Sequence, residues 1–78
     1  MKKKIAILGS TGSIGKTLLK VIEQDKNNFD IVLLTANKDH KTLYNQAKKF
    51  NVKNLIITDE SNFKILKKKN KKKNIKIF

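Results

Sequence analysis

The stretch Gly9-Ser10-Thr11-Gly12-Ser13-Ile14-Gly15 sets three glycines and three hydroxyls where a backbone could cradle phosphate. The glycines recur with the spacing of a dinucleotide-binding turn. In that reading Gly9 permits a tight exit from a strand. Gly12 lets the backbone approach a pyrophosphate, and Gly15 lets the next helix pack close to the sheet. The free N–H groups at a helix start suit a diphosphate, and Ser10, Thr11 and Ser13 add hydroxyl donors. The same stretch runs on into Gly15-Lys16-Thr17, which imitates the end of a nucleotide-triphosphate P-loop. That loop needs four residues between its glycines, whereas Gly9 and Gly15 are separated by five. One added residue changes which N–H points inward, so the P-loop reading fails on spacing. Leu55 to Glu60 also imitates an acidic magnesium site at a strand end, but an Asp there can equally cap the next helix.

A second position bears on the choice of dinucleotide. An acid about 20 residues beyond the glycines would bind the ribose hydroxyls of NAD. The second apolar run ends Leu34-Thr35-Ala36-Asn37-Lys38, with no acid at its tip. Lys38 there can pair with the 2′-phosphate of NADP, or it is an ordinary surface lysine. Asp39 repels a phosphate if it faces the pocket and does not if it caps the next helix. His40, the only histidine, reads as an exposed residue in the first turn of that helix. With no cysteine there is no disulfide frame and no thiolate metal site.

The elements that must position these residues follow from hydrophobic periodicity. Ile5 to Leu8 is a short continuous apolar run and predicts a buried parallel strand. Ile14, Leu18, Val21 and Ile22 recur at helical spacing and predict an amphipathic helix over Ser13 to Gln24. Ile31 to Leu34 predicts the second strand. Asp39 can cap a second helix carrying Leu43, Ala47 and Phe50 on one face. Leu55 to Ile57 predicts a third strand, and Asp59 or Ser61 can cap a third helix with Phe63 and Leu66. The lysine-rich run Lys67 to Lys73 reads as a solvated loop, with an anion-binding tail as the sharper alternative. Ile75 to Phe78 begins another β-like run. The order β-α-β-α-β-α-β points to an open, Rossmann-like parallel α/β sheet with right-handed crossovers. Continuously apolar strands expect helical cover on both faces, which three helices cannot supply. The 78 residues therefore read as the first part of a larger dinucleotide-binding domain.

The formal net charge of +13 comes from nineteen lysines, no arginine and six acids. That balance could serve nucleic acid or an anionic membrane. A coding bias toward Lys, Asn and Ile explains it too, and the arginine forks and exposed aromatics common in nucleic-acid binders are not evident. No nucleic-acid or membrane partner is expected. No signal-peptide core or membrane span is visible either, so a cytoplasmic location is the expectation.

Lys4 to Gly15, KIAILGSTGSIG, closely resembles the start of the 1-deoxy-D-xylulose 5-phosphate reductoisomerases. The similarity continues through FDIVLLTANKDHKTLYNQAKKF, LIITDES and FKILKK, so it covers essentially the whole chain. The resemblance implies an NADPH-dependent enzyme that rearranges 1-deoxy-D-xylulose 5-phosphate and reduces the product to 2-C-methyl-D-erythritol 4-phosphate. It implies that Thr11, Gly12, Ser13 and Ile14 contact the NADPH phosphates and that Asn37, Lys38 and Asp39 form a second cofactor-binding segment. The family more often has Gly at the position of Asn37, and Asn or Ser at that of Asp39. These departures bear on 2′-phosphate binding and leave the glycine turn intact. Such proteins run to roughly four hundred residues, several domains' worth. Their divalent metal (Mg or Mn), sugar-phosphate site and homodimer contacts would involve no residue of this chain. The resemblance thus implies a cofactor-binding piece without catalytic or metal-ligating residues. Three other readings remain at this point: a stand-alone nucleotide-binding module, a basic nucleic-acid or membrane-surface binder, and a fragment of another NADP-dependent reductase such as an aspartate-semialdehyde dehydrogenase relative.

Overall fold

A computed structural model describes residues 2–70 and 74–78. Strand β1 spans Lys3–Ile7, helix α1 Ser13–Glu23, β2 Phe29–Ala36, α2 His40–Phe50, β3 Asn54–Ile57, α3 Glu60–Lys69 and β4 Lys76–Ile77. The expected alternation is present, with one added 3-10 turn at Lys26–Asn28 before β2. All four strands are parallel, in the order β1-β2-β3-β4. This is a Rossmann-like partial sheet.

Sequential order with crossovers of one hand puts every helix on the same face of a sheet. The contacts agree. The Lys49 ammonium of α2 lies 3.1 Å from Glu23 of α1, and His40 of α2 meets Asn62 of α3 at 2.7 Å. The core forms between these helices and one sheet face, from Ile7, Leu34, Leu43, Ala47, Leu55 and Leu66 among others. On the alternate face, Leu33 and Ile56 are only half-buried. The sheet is therefore covered on one side, as a three-helix supply dictates.

Two expectations about burial need correction. Along β1, Ile7 faces the helices and is buried, Ile5 on the same face is half-buried at the sheet edge, Ala6 is exposed on the uncovered face, and Leu8 is exposed past the strand end. Continuous apolar sequence is buried throughout only where both faces of the sheet are covered. Helix α1 is turned differently from its most obvious apolar stripe. Ile14, Leu18 and Val21 are 85%, 44% and 61% exposed, and the buried stripe is Gly15, Leu19 and Ile22. Both stripes have i, i+4, i+7 spacing, so periodicity alone does not choose between them. The choice falls to Gly15, which must face the strand-to-helix turn, as its crowding below demonstrates.

Between Ile5/Ala6 and Ile31/Leu33 the β1–β2 register shifts, leaving Val32 as the extra residue. Asn54 of β3 donates its side-chain amide to the Val32 carbonyl at 3.0 Å, so the irregularity leaves that acceptor satisfied. Helix α2 ends at Asn51 in the left-handed region (φ 57°), which Asn tolerates better than most residues. Helix α3 extends through Lys69, so Lys67 to Lys69 are helical rather than loop. Lysine is a good helix former, and a cation in the last turn is favoured by the helix dipole. The remainder of that run, Lys71 to Lys73, lies outside the described residues. No helix among the described residues is long and apolar enough to cross a membrane.

Candidate cofactor-binding site

The glycine-rich turn sits at the C-terminal end of β1 and leads directly into α1. Its three glycines have three different reasons. Gly9 lies at φ +68°, a left-handed conformation that side chains rarely adopt. Gly15 is required by crowding: a Cβ there would fall 2.5 Å from the Gly9 carbonyl oxygen and 2.6 Å from Ser10 Cα. Gly12 has an ordinary φ of −77°, and its Cβ would meet nothing closer than Gly9 oxygen at 3.5 Å. Nothing inside the chain demands glycine at position 12. Bare backbone at that point suits the close approach of a ligand from outside.

The turn is fastened from behind by β2. Gly9 N–H donates to Thr35 Oγ1 at 2.9 Å, and Ser10 N–H donates to the Thr35 carbonyl at 2.9 Å. From α2, Gln46 Nε2 donates to the Ser10 carbonyl at 2.9 Å. Ser10 is fully buried, with its hydroxyl turned to the Thr35 carbonyl. Ser10 therefore stands behind the turn, which corrects its expected role as a hydroxyl donor to phosphate. Thr11 is half-exposed, and Ser13 and Ile14 are exposed.

The start of α1 differs from the starts of α2 and α3. Asp39 caps α2 by accepting from Thr42 N–H at 3.1 Å, and Asp59 caps α3 by accepting from Asn62 N–H at 3.1 Å. Helix α1 has Gly12 at its cap, no side-chain cap and no acid in its first turn. Among the described residues, the N–H groups of Thr11, Ser13, Ile14 and Gly15 make no hydrogen bond. Four unpaired donors and the positive end of a helix dipole meet at one place, a ready site for an anion.

The tip of β2 supplies the second segment. Asn37 is tied to β3's end: its carbonyl accepts from Asp59 N–H at 2.9 Å, and its Oδ1 accepts from Thr58 Oγ1 at 2.7 Å. Asn37 is exposed, and its Nδ2 makes no hydrogen bond among the described residues. Lys38 is exposed, and its charge helps hold Asp59 ionised. The two readings of Asp39 resolve in favour of the cap. Hydrogen bonds from Thr42, side chain and N–H, hold its carboxyl below the usual carboxylate value, helped by Lys16 and His40. Its charge is thus directed into α2. His40 is half-buried and bridges α2 to α3 through Asn62, so it is not the free surface residue expected from sequence.

Sequence reading missed Thr35 and Gln46. Thr35 looked like one more residue of an apolar strand, and Gln46 is one of several polar residues in helix α2. Both act on residues about 25 or more positions away, a distance over which local spacing carries no signal.

Comparison with known proteins agrees with this geometry. The family pattern for 1-deoxy-D-xylulose 5-phosphate reductoisomerase matches residues 5–78. A 1-deoxy-D-xylulose 5-phosphate reductoisomerase of Pelagibacter ubique is 57% identical over 76 residues, covering 97% of this chain and 20% of the relative. One of Thermoanaerobacter sp. is 45% identical over 75 residues, covering 96% and 19%. Among solved structures, the Zymomonas mobilis enzyme in complex with NADPH superposes with a TM-score of 0.91 at 32% identity, covering 99% of this chain and 20% of that one. A reductoisomerase in complex with NADPH, fosmidomycin and magnesium gives 0.89 at 29% identity, covering 97% and 19%. The chain spans about a fifth of the length of these relatives. With the fold, the glycine turn and these likenesses in agreement, the chain belongs to the 1-deoxy-D-xylulose 5-phosphate reductoisomerase family.

Proposed function

We propose that residues 1–78 form the first part of an NADPH-binding domain, with the glycine turn holding the diphosphate of the cofactor. The observation that carries this is the uncapped start of α1, with free N–H groups at Thr11, Ser13, Ile14 and Gly15 around an unforced Gly12. Thr11 and Ser13 add hydroxyls to the same anion. Lys38 and the exposed amide of Asn37 face the 2′-phosphate, while Asp39 stays engaged with α2. Gly9 and Ser10 shape the turn without touching the ligand, while Gly15 packs against the turn and offers its N–H to the same anion.

For the whole protein, the reading is reductive isomerisation of 1-deoxy-D-xylulose 5-phosphate to 2-C-methyl-D-erythritol 4-phosphate. It would use NADPH and a divalent metal, Mg or Mn, in a cytoplasmic homodimer. No residue of this chain is assigned to the metal or to catalysis, and the chain alone is expected to be inactive. Titrating NADPH and NADH against the purified chain tests the reading. Binding that prefers NADPH supports it, and no binding at millimolar cofactor removes it.

A further inference from the structure

We infer that Gln46 is a positioning residue for the phosphate-binding turn, holding the Ser10–Thr11 peptide plane so that Thr11 N–H faces the diphosphate. This rests on the cofactor reading above. Gln46 belongs to α2, one helical turn before Lys49, whose ammonium pairs with Glu23 of α1. Residues three apart share a helix face, so Gln46 faces the gap between α1 and α2. From there its amide nitrogen reaches the Ser10 carbonyl at 2.9 Å.

The consequence follows from peptide geometry. No peptide bond in the described chain is cis. In a planar trans peptide the C=O of one residue and the N–H of the next point in opposite directions. A donor that pins the Ser10 carbonyl toward α2 therefore turns Thr11 N–H away from α2, to the open side of the turn. That N–H makes no hydrogen bond in the chain, and it stands beside the free N–H groups of Ser13 and Ile14. Thr35 fixes the preceding peptide through Ser10 N–H. Gln46 fixes the one that presents Thr11.

Stability alone does not explain a glutamine here. Only its Nε2 can face a carbonyl, which sends Oε1 the other way, and that oxygen is buried without a partner among the described residues. A buried acceptor without a donor is a cost to the fold. An apolar side chain of the same length would remove that oxygen but leave the Ser10 carbonyl unpaired instead, so the number of unpaired acceptors is unchanged and the fold loses one modest hydrogen bond. The residue's distinctive property is a donor at the right reach.

The test compares Gln46→Met, close in shape but without a donor, with Gln46→Glu, which sets an acceptor against the carbonyl. Urea unfolding, nitrogen-15 relaxation of the backbone amides, and titrations with NADPH, ADP and 2′-AMP are measured on the whole chain. Gln46→Met is expected to unfold at a slightly lower urea concentration than the parent and to show a lower backbone order parameter at the Thr11 amide. Its NADPH and ADP affinities should fall about tenfold, the loss of roughly one good hydrogen bond. Gln46→Glu should lose more and recover part of the loss when acidified enough to protonate the new carboxyl. Affinity for 2′-AMP, which lacks the diphosphate, should not change. Equal loss for 2′-AMP and ADP, or unchanged ADP affinity, would overturn the inference. If the parent binds no NADPH, the cofactor reading fails by itself. The Thr11 order parameter then decides for Gln46: a lower value in Gln46→Met supports the positioning role, and an unchanged one overturns it.

Discussion

A Cβ on Gly15 would stand 2.5 Å from the carbonyl oxygen of Gly9, so helix α1 is locked against the turn that precedes it. That contact fixes the rotation of the helix, and with it which apolar stripe meets the sheet. It also leaves the helix start open where Gly12 and the free N–H groups lie.

Gly15→Ala and Gly12→Ala should therefore behave oppositely. The first forces backbone apart and should cost about 1–3 kcal/mol, the usual range for overpacking. The second meets only an ordinary contact at an ordinary φ, and its stability should stay within about 0.5 kcal/mol of the parent. Its NADPH affinity should fall, because the added methyl stands where the diphosphate approaches. Urea denaturation and NADPH titration of both variants separate the two effects. Equal destabilisation by both would contradict the distinction between internal and external reasons for glycine.

Lys38 is the exposed cation at the tip of β2. Lys38→Ala should weaken NADPH about tenfold, or ~1.4 kcal/mol, and leave NADH binding unchanged. Raising salt should shrink the difference, since the pair is exposed to solvent. A parallel loss for both cofactors would place Lys38 elsewhere in the site or outside it.

The two aspartate caps make stability depend on acid. Both Asp39 and Asp59 have carboxyl pKa values lowered by hydrogen bonds to the helix start, from Thr42 and Asn62 respectively. A lowered folded value means that the stabilisation is present in full above the unfolded pKa of about 3.9. It is then lost as pH falls through the lower folded value. Asp39→Ala should destabilise by about 1 kcal/mol at neutral pH and show a flatter stability profile below about pH 4. Thermal unfolding from neutral to acid pH checks this, and an unchanged profile in Asp39→Ala would contradict the cap as the cause.

Ile14, Leu18 and Val21 form an exposed apolar stripe on α1, and β1 is a free edge of the sheet. Exposed stripes and unpaired edges favour association. The chain should self-associate as its concentration rises, and Leu18→Lys with Val21→Glu should reduce this without lowering stability. Sedimentation of both proteins over a concentration series checks it, with a monomeric parent throughout as the contrary result.

The strand–helix alternation was legible because each strand is a short apolar run and each helix carries a periodic stripe. The glycine turn was legible because its spacing is local. What escaped depends on neighbours distant in the chain. Two apolar stripes compete on α1, and only the Gly15–Gly9 contact decides between them. The burial of Ala6 depends on whether anything covers the second face of the sheet. Ser10 looks like Ser13 in sequence, yet Thr35 and Gln46 draw it behind the turn. His40 finds Asn62 across 22 positions, and no local pattern announces such a pair.

The most direct measurement is a residue-resolved NADPH titration of the nitrogen-15-labelled chain, followed through its amide resonances. The expected result is a saturable shift concentrated at Thr11, Gly12, Ser13 and Ile14, with a second group at Asn37 and Lys38. No shift at millimolar NADPH, or shifts confined to the lysine-rich end of α3, would contradict a cofactor site at the glycine turn.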